Sequence, residues 1–462
     1  MSSRTPIRSI FENKTLGENF TVKGWIRSVR KSKKFSFIVI NDGTCQWNLQ
    51  AIVDMDTPNY EQISSLLLGS AISMTGTLVE SRGKQPVEMQ AKSVEIISAT
   101  DDTYPLQKKA TSLEFLREQA HLRARTQTFG AVFRVRHALA MATHKFFSDK
   151  GFYYLNSPII SAVDGEGAGE MFKVSTMDLA KVPVKGGKAD HTEDYFGKEV
   201  SLCVTGQLEG ECYAMALGSI YTFGPTFRAE NSNTTRHLSE FWMIEPEVAF
   251  ADLEEVADLA TDYIKYLIAY AQEHCPHELE FLATREGAPE GLLEMLTHVK
   301  ESNFIRITYT EAVEILSKSG KTFEFPCTWG AELQTEHERF LTEEHFKLPV
   351  IVTDYPKEFK AFYMKQNDDG KTVRAMDVLV PGIGEIIGGS QREDNLEKLE
   401  ARMDHDGMDK TGYWWYMDLR RYGSVPHAGF GLGFERAIMY ITGMSNIRDV
   451  IPFPRTPKNC DF

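Results

Sequence analysis

Over the first hundred residues the apolar positions fall in short runs rich in Val, Ile, Phe and Thr, broken by polar turns. NFTVKGWIRSVRKS, KFSFIVINDG, CQWNLQAIV, SAISMTGTLVES and VEMQAKSVEIIS each read as a strand, with Asn41-Asp42-Gly43 and Ser81-Arg82-Gly83 as turns. Five strands in that length predict an all-β domain over 1–100, a small closed barrel of the OB-fold kind. A polar stretch holding Pro105 follows, and 101–127 reads as a linker or hinge. The pattern then turns helical. Val132, Val135, Leu139, Ala142 and Phe146 recur at helical spacing, and Gly151 is placed to end that helix. FYYLNSPIIS reads as a strand running to Pro158, and Asp252 with Glu255 form a capping box before a helix over 252–272. Beyond 300, β-like runs (LPVIVTDY, KAFYMK, AMDVLVPG, GEIIGGS) alternate with helical segments such as 391–404. Residues 128–462 therefore read as one large α+β domain on a mainly antiparallel sheet flanked by helices.

Composition narrows this picture. Of 462 residues, 42% are hydrophobic and 25% charged, as in an ordinary globular chain. No apolar run approaches the roughly 20 residues of a membrane helix, and the N-terminus has no apolar core of a secretory signal. Six cysteines lie scattered without CxxC spacing, which predicts reduced thiols in a cytoplasm, neither a zinc site nor a disulfide framework. His274-Cys275 with His277 reads as a surface turn. The net charge of −14 argues against indiscriminate coating of nucleic acid. Charge is segregated, however: Lys23, Arg27, Arg30, Lys31, Lys33 and Lys34 crowd two barrel strands beside Trp25, Phe35 and Phe37. Aromatics beside a basic groove suit unstacked bases. Trp25 is expected in the core; Phe35 and Phe37 fit either the core or such a groove.

Two glycine-rich stretches, PGIGEIIGGSQRE (381–393) and GFGLGFERAIMYITG (429–443), lack the Gly-Lys-Ser/Thr ending of a P-loop and an evident βαβ setting. The second opens a helix with Arg436 in its first turn. A cation there opposes the helix dipole and calls for an anion nearby. Residues 227–247, FRAENSNTTRHLSEFWMIEPE, interleave charge with Phe, Trp, Met and Ile, so these charges line a half-buried wall.

Phe227-Arg228-x-Glu230 with Arg236-His237 and Glu240-Phe241 resembles motif 2 of the class II aminoacyl-tRNA synthetases, and Gly431-x-Gly433-x-Glu435-Arg436 resembles motif 3. The 130–158 helix and strand resemble motif 1, and a barrel before such a core resembles the aspartate/asparagine/lysine subgroup. Within it, DGEGAGEMF, TGQLEGE and GIGEIIGGSQRE are most similar to the asparaginyl-tRNA synthetases of bacterial type. Bacterial aspartyl enzymes carry a large insert that does not fit here. Aspartyl relatives also place a Lys three residues after the pocket Gln, where this chain has Gly210 after Gln207.

The resemblance implies an asparagine–tRNA ligase that joins L-asparagine and ATP into an adenylate and transfers the aminoacyl group to tRNA(Asn). It implies Arg228, His237 and Arg436 as catalytic cations on the phosphates of a bent ATP, with Glu230 and Phe241 at its adenine and Gly433 against it. Glu385 and Asp377 would hold Mg²⁺; Asp377 sits one residue further from its partner than in aspartyl relatives. Glu166 and Gln207 would meet the asparagine α-amino group. Glu245 would accept from its carboxamide NH2 while repelling aspartate, and Arg392 would donate to its amide oxygen. Arg236 would face the tRNA acceptor end, and Arg27, Phe37 and Gln50 the anticodon. Motif 1 implies a homodimer, and no membrane partner is expected. Alternatives left open are an aspartyl-tRNA synthetase, a tRNA-independent asparagine synthetase-like enzyme and a non-catalytic RNA-binding paralogue. Residues 275–345 carry no assigned task.

Overall fold

The computed structural model describes residues 4–83, 85–107, 111–167, 170–232 and 234–462. Two compact units divide at the chain contacts: residues 1–134 with Phe462, and residues 135–461.

In the first unit, strands β1 (Asn19–Lys31), β2 (Phe35–Asn41), β3 (Leu49–Asp54), β4 (Ala71–Glu80) and β5 (Val87–Ser98) close into a barrel in the order β1-β2-β3-β5-β4. Side-chain alternation fills it: Val22 and Ile26, Ile38 and Ile40, Leu49, Ala51 and Val53 point inward and are buried. The same parity turns Trp25 outward, where it is 38% exposed, against the expectation of a core residue. Ser36 is fully buried, its hydroxyl 2.8 Å from that of Tyr60, so its neighbours Phe35 and Phe37 share the outer face. Short helices at Leu113–Glu118 and Ala120–Arg123 occupy part of the stretch expected to be a linker.

The second unit is built on an eight-stranded sheet. Its strands are β6 (Tyr153–Leu155), β7 (Ser219–Phe227), β8 (Glu240–Ala249), β9 (Ile305–Thr308), β10 (Val350–Pro356), β11 (Thr372–Val380), β12 (Gly384–Gln391) and β13 (His427–Gly433). The order is β9-β10-β11-β12-β13-β8-β7-β6, and every pairing is antiparallel except the two outermost, β9 with β10 and β7 with β6. The flanking helices include α1 (Gln127–Asp149), α2 (Gln207–Leu217), α3 (Leu253–His274), α4 (Trp414–Arg421) and α5 (Phe434–Thr442). Sequence signals mark their ends. Asp252 and Glu255 make the expected reciprocal capping box on α3, and Gly443 ends α5 at φ +64°.

Two further local expectations fail. KAFYMK is no strand: Phe362 and Tyr363 are both buried in a turn, and Met364 bridges to Arg392. Cys275 is buried at the junction of α3 with the helix Pro276–Thr284, so the His274–His277 segment is no simple surface turn. Among the described residues, no helix is long and apolar enough to cross a membrane.

Candidate active site

The antiparallel centre of the sheet brings the motif residues to one face. Register pairs Thr226 with Phe241 and Thr222 with Glu245 across β7 and β8, and Ile244 with Leu432 across β8 and β13. Asp377 pairs with Gly388 across β11 and β12, and a bulge after Val378 sets Leu379 against Glu385. Ile386 is the extra residue of that bulge. A Cβ on Gly388 would stand 3.3 Å from Glu385 Oε1 and 3.6 Å from Asp377 Oδ1, so both carboxylates converge there. A Cβ on Gly429 would lie 2.4 Å from Glu247 Oε1 and from Pro246 O. Only glycine lets the strands approach so closely at that point.

Two cavities lie on this face and share a wall. One, of about 360 Å³, is lined by Glu166, Gln207, Glu245, Lys360, Asp377 and Arg392. The other, of about 240 Å³, is lined by Glu230, Arg236, His237, Phe241, Gly433 and Arg436. Arg228, Met243, Glu385 and Gly431 line both. One cation therefore stands where two compartments meet.

In the first cavity the acids and cations are held by fixed partners. Glu245 accepts from the hydroxyl of Thr205, from Gly206 N at 2.9 Å and from Thr222 Oγ1 at 2.9 Å. Of roughly four acceptor positions on a carboxylate, one stays available. Arg392 is gripped by Glu247, Nε to Oε2 at 3.1 Å and Nη2 to Oε1 at 2.5 Å, while Nη1 donates to Ser390 at 2.7 Å. One N–H on each terminal nitrogen remains to donate. This pair is almost fully buried, which demands such complete hydrogen bonding. Glu166 meets Arg228 Nη2 at 2.9 Å; burial raises the Glu166 carboxyl above its ordinary range, and the guanidinium partly offsets it. Asp377 takes Lys360 Nζ at 3.0 Å and 3.2 Å.

The second cavity carries Arg228, Arg236, Arg436 and His237 beside Glu230, Glu385 and Glu435. The Arg228 guanidinium sits over the Phe241 ring, 5.3 Å from its centre. His237 lies 2.5 Å from the Thr234 hydroxyl and 4.0 Å from Glu230. Arg436 Nη1 donates to Glu385 O at 3.1 Å, at the helix start where an anion was called for. Arg236 lines the cavity too, donating to Thr335 Oγ1 at 2.9 Å. Burial first and Arg436 second lower the Arg236 pKa, so two cations face one compartment. Such a pair suits a polyphosphate.

The family described as class II tRNA synthetases (D, K and N) matches residues 112–457, and the OB-fold nucleic acid binding domain family matches residues 20–97. The chain is 57% identical to the asparagine–tRNA ligase of Alkaliphilus oremlandii over 460 residues, 99% of each chain. It is also 57% identical to that of Acetivibrio thermocellus over 463 residues, again 99% of each. The chain belongs to the asparagine–tRNA ligase family of class II synthetases. The asparaginyl-tRNA synthetase of Pyrococcus horikoshii, complexed with asparaginyl-adenylate, has the same fold. It matches at a TM-score of 0.87 and 33% identity, covering 100% of both chains. The enzyme of Entamoeba histolytica, also with asparaginyl-adenylate, matches at 0.83 and 25%.

The class II frame brings together every residue expected at the amino acid and the nucleotide. Arg236, expected toward the acceptor end of tRNA, stands half-buried on the wall of the second cavity. In the barrel, Phe37 lies under the Arg30 guanidinium at 4.6 Å, and Gln50 shares its outer face with its amide 2.9 Å from Glu88. Arg27 sits in a bulge of β1, where burial lowers its pKa and the charges of Arg125 and Arg134 add to the effect. Sequence reasoning missed Glu247, Lys360 and Glu338. Glu247 was legible, since it lies two residues from Glu245 on one strand and so on the same face. Lys360 was lost with the mistaken strand. Glu338, whose Oε2 accepts from Glu385 N at 3.1 Å, comes from a distant helix that no local pattern ties to the site.

Proposed function

We propose that the double cavity binds L-asparagine in its first compartment and bent ATP in its second, and joins them across Arg228. The carboxylate oxygen of asparagine attacks the α-phosphorus, forming asparaginyl-adenylate and releasing pyrophosphate. A hydroxyl of the terminal adenosine of tRNA(Asn) then attacks the carbonyl carbon, and AMP leaves with the anhydride electron pair. The carrying observation is that Arg228 lines both compartments.

This chemistry asks for positioned cations more than covalent catalysis. Arg228 holds the α-phosphate, with His237 and Arg436 on the outer phosphates. Phe241 stacks on adenine, Glu230 takes its edge, and Gly433 leaves room for the flat ring. Glu166 and Gln207 receive the α-ammonium. Glu245 uses its remaining acceptor position for the carboxamide NH2, and Arg392 its remaining donors for the amide oxygen. An aspartate carboxylate in that position would meet Glu245 as a like charge.

Glu385 and Asp377 fit Mg²⁺: they converge at Gly388, and burial and then the Asp377 charge raise the Glu385 carboxyl, a load a divalent cation relieves. Glu385 and Asp377 would hold the ion, which would supply positive charge against the phosphates. Among the described residues, no group of three His, Cys, Asp or Glu is assembled as a metal site.

Arg236 meets the acceptor end of tRNA from the wall of the second cavity, and the outer face of the barrel, with Phe37, Gln50 and Arg27, takes the anticodon. The edge strand β6 exposes Tyr153 and Tyr154, and α1 exposes Met141, which supports a homodimer through this face. The cytoplasm is its compartment, consistent with six free cysteines. Pyrophosphate exchange tests the reading: it should run with asparagine and not with aspartate, and exchange driven by aspartate alone would overturn it.

A further inference from the structure

Gln207 opens α2, and Glu211 lies one turn further on, at the i,i+4 spacing that stacks side chains on one helix face. Gln207 Nε2 donates to Glu211 Oε1 at 3.0 Å. The same oxygen accepts from the Tyr416 hydroxyl at 2.9 Å. The other, Oε2, takes Arg420 Nη2 at 2.9 Å and His427 Nε2 at 3.0 Å. Arg420 is locked in turn, its Nε 2.8 Å from Glu393 O, and His427 Nδ1 lies 2.9 Å from Val425 O. Glu211, Arg420 and His427 have no exposed side-chain surface. Burial raises the Glu211 carboxyl, yet Arg420 and His427 outweigh it and hold the group well below the usual carboxylate range. Glu211 is therefore ionised, an acceptor with no proton to give.

An acceptor-only partner decides which end of an amide faces it. The Gln207 carboxamide must turn its NH2 to Glu211, which leaves its oxygen as the free pole on the wall of the asparagine compartment. The backbone of Gln207 is fixed as well, its N donating to Thr205 Oγ1 at 3.0 Å, and Thr205 in turn donates to Glu245. We infer that Glu211, clamped by Tyr416, Arg420 and His427, is a positioning residue that sets the Gln207 carboxamide oxygen-first toward the α-ammonium of the substrate. The inference rests on the reading of Gln207 as an α-ammonium contact. It assigns discrimination at the α-carbon to a carboxylate that never touches the substrate, apart from the discrimination by Glu245 and Arg392 at the side chain.

Glu211→Gln keeps the shape but can present either pole, so the Gln207 amide is freed to flip. The test measures asparagine-dependent pyrophosphate exchange for the wild type, Gln207→Met, Glu211→Gln and the double variant. Inhibition by the asparagine analogue lacking the α-amino group is measured in parallel. Glu211→Gln should raise the asparagine KM about ten- to hundredfold, the scale of one hydrogen bond to a charged group. The ATP KM should stay unchanged, and the preference for asparagine over the des-amino analogue should shrink by a similar factor. Added to Gln207→Met, Glu211→Gln should have little further effect. If Glu211→Gln does not fold, Glu211→Asp keeps the charge against Arg420 and His427, shortens the reach to Gln207, and must show the same KM rise. Wild-type KM and wild-type discrimination in the Glu211 variant, with Gln207→Met impaired, would overturn the positioning role alone. An unchanged KM in Gln207→Met would overturn the pocket reading itself, and this inference with it.

Discussion

Arg228 owes its place to the strand end at Phe227, and its direction to Glu166 on one side and the Phe241 ring on the other. Removing its donors from the developing phosphorane should cost about 2.7–4 kcal/mol, the scale of losing one preorganised oxyanion donor. Arg228→Ala is thus expected to slow pyrophosphate exchange by roughly 10²–10³, with tRNA binding in a gel-shift assay unchanged. Glu338 gives a prediction of different kind. Burial, and then the charge of Glu385, push its carboxyl up to about 7. An acid raised in the folded state makes a contribution to stability that is complete below its unfolded pKa, near 4.5, and lost as pH rises through about 7. Glu338→Gln should therefore gain on the wild type between pH 4.5 and pH 8, by about 2–4 °C in melting temperature for each kcal/mol removed. A gap between the two proteins that stays constant with pH would contradict the assignment.

The three motif elements are tied by one buried group. Glu435, in the first turn of α5, takes Arg136 of α1 at 2.8 Å and accepts from Trp242 N of β8 at 2.9 Å. Arg136 also donates to Val450 O at 2.9 Å and lies over the Phe434 ring. Arg136→Leu would strand the Glu435 charge, and breaking a buried pair from one side costs about 3–5 kcal/mol. Urea unfolding should register that loss, and Arg136→Leu with Glu435→Gln together should recover much of it. At this scale the sequence was most readable where a cap or a period marked an element, as at Asp252, Gly151 and Gly443. It misled where burial does not alternate. Phe362 and Tyr363 are adjacent and both buried, so an apolar run looked like a strand. Trp25 is the opposite case: Val22, Gly24 and Ile26 set an inward parity that places it outside, and period outweighs hydrophobic identity there. The pairings of Arg392 with Glu247 and Glu211 with Arg420 join residues more than a hundred positions apart, and no local pattern announces them.

Across the whole molecule charge and function divide along the chain. The protein is acidic at −14, while Lys23, Arg27, Arg30, Lys31, Lys33 and Lys34 cluster on β1 and the turn after it. In the proposed reading anticodon recognition and chemistry fall to separate units, which a single substitution should separate. Phe37→Ala removes a stacking surface worth about 1–3 kcal/mol per base. It should raise the KM for tRNA about tenfold or more while leaving asparagine-dependent pyrophosphate exchange at the wild-type rate. Loss of exchange in that variant would place the barrel in the chemistry and contradict the division. The barrel, the α+β core and the ordered motifs were legible from the sequence because each is a run of neighbouring residues. The contiguity of the two cavities was not, since it depends on strand register between segments as distant as Arg228 and Glu385. Aminoacylation of purified tRNA(Asn) with wild-type protein, ATP and either amino acid puts the proposed specificity to the test. Asparagine should give asparaginyl-tRNA and aspartate no product; aspartyl-tRNA formed at a comparable rate would overturn the assignment.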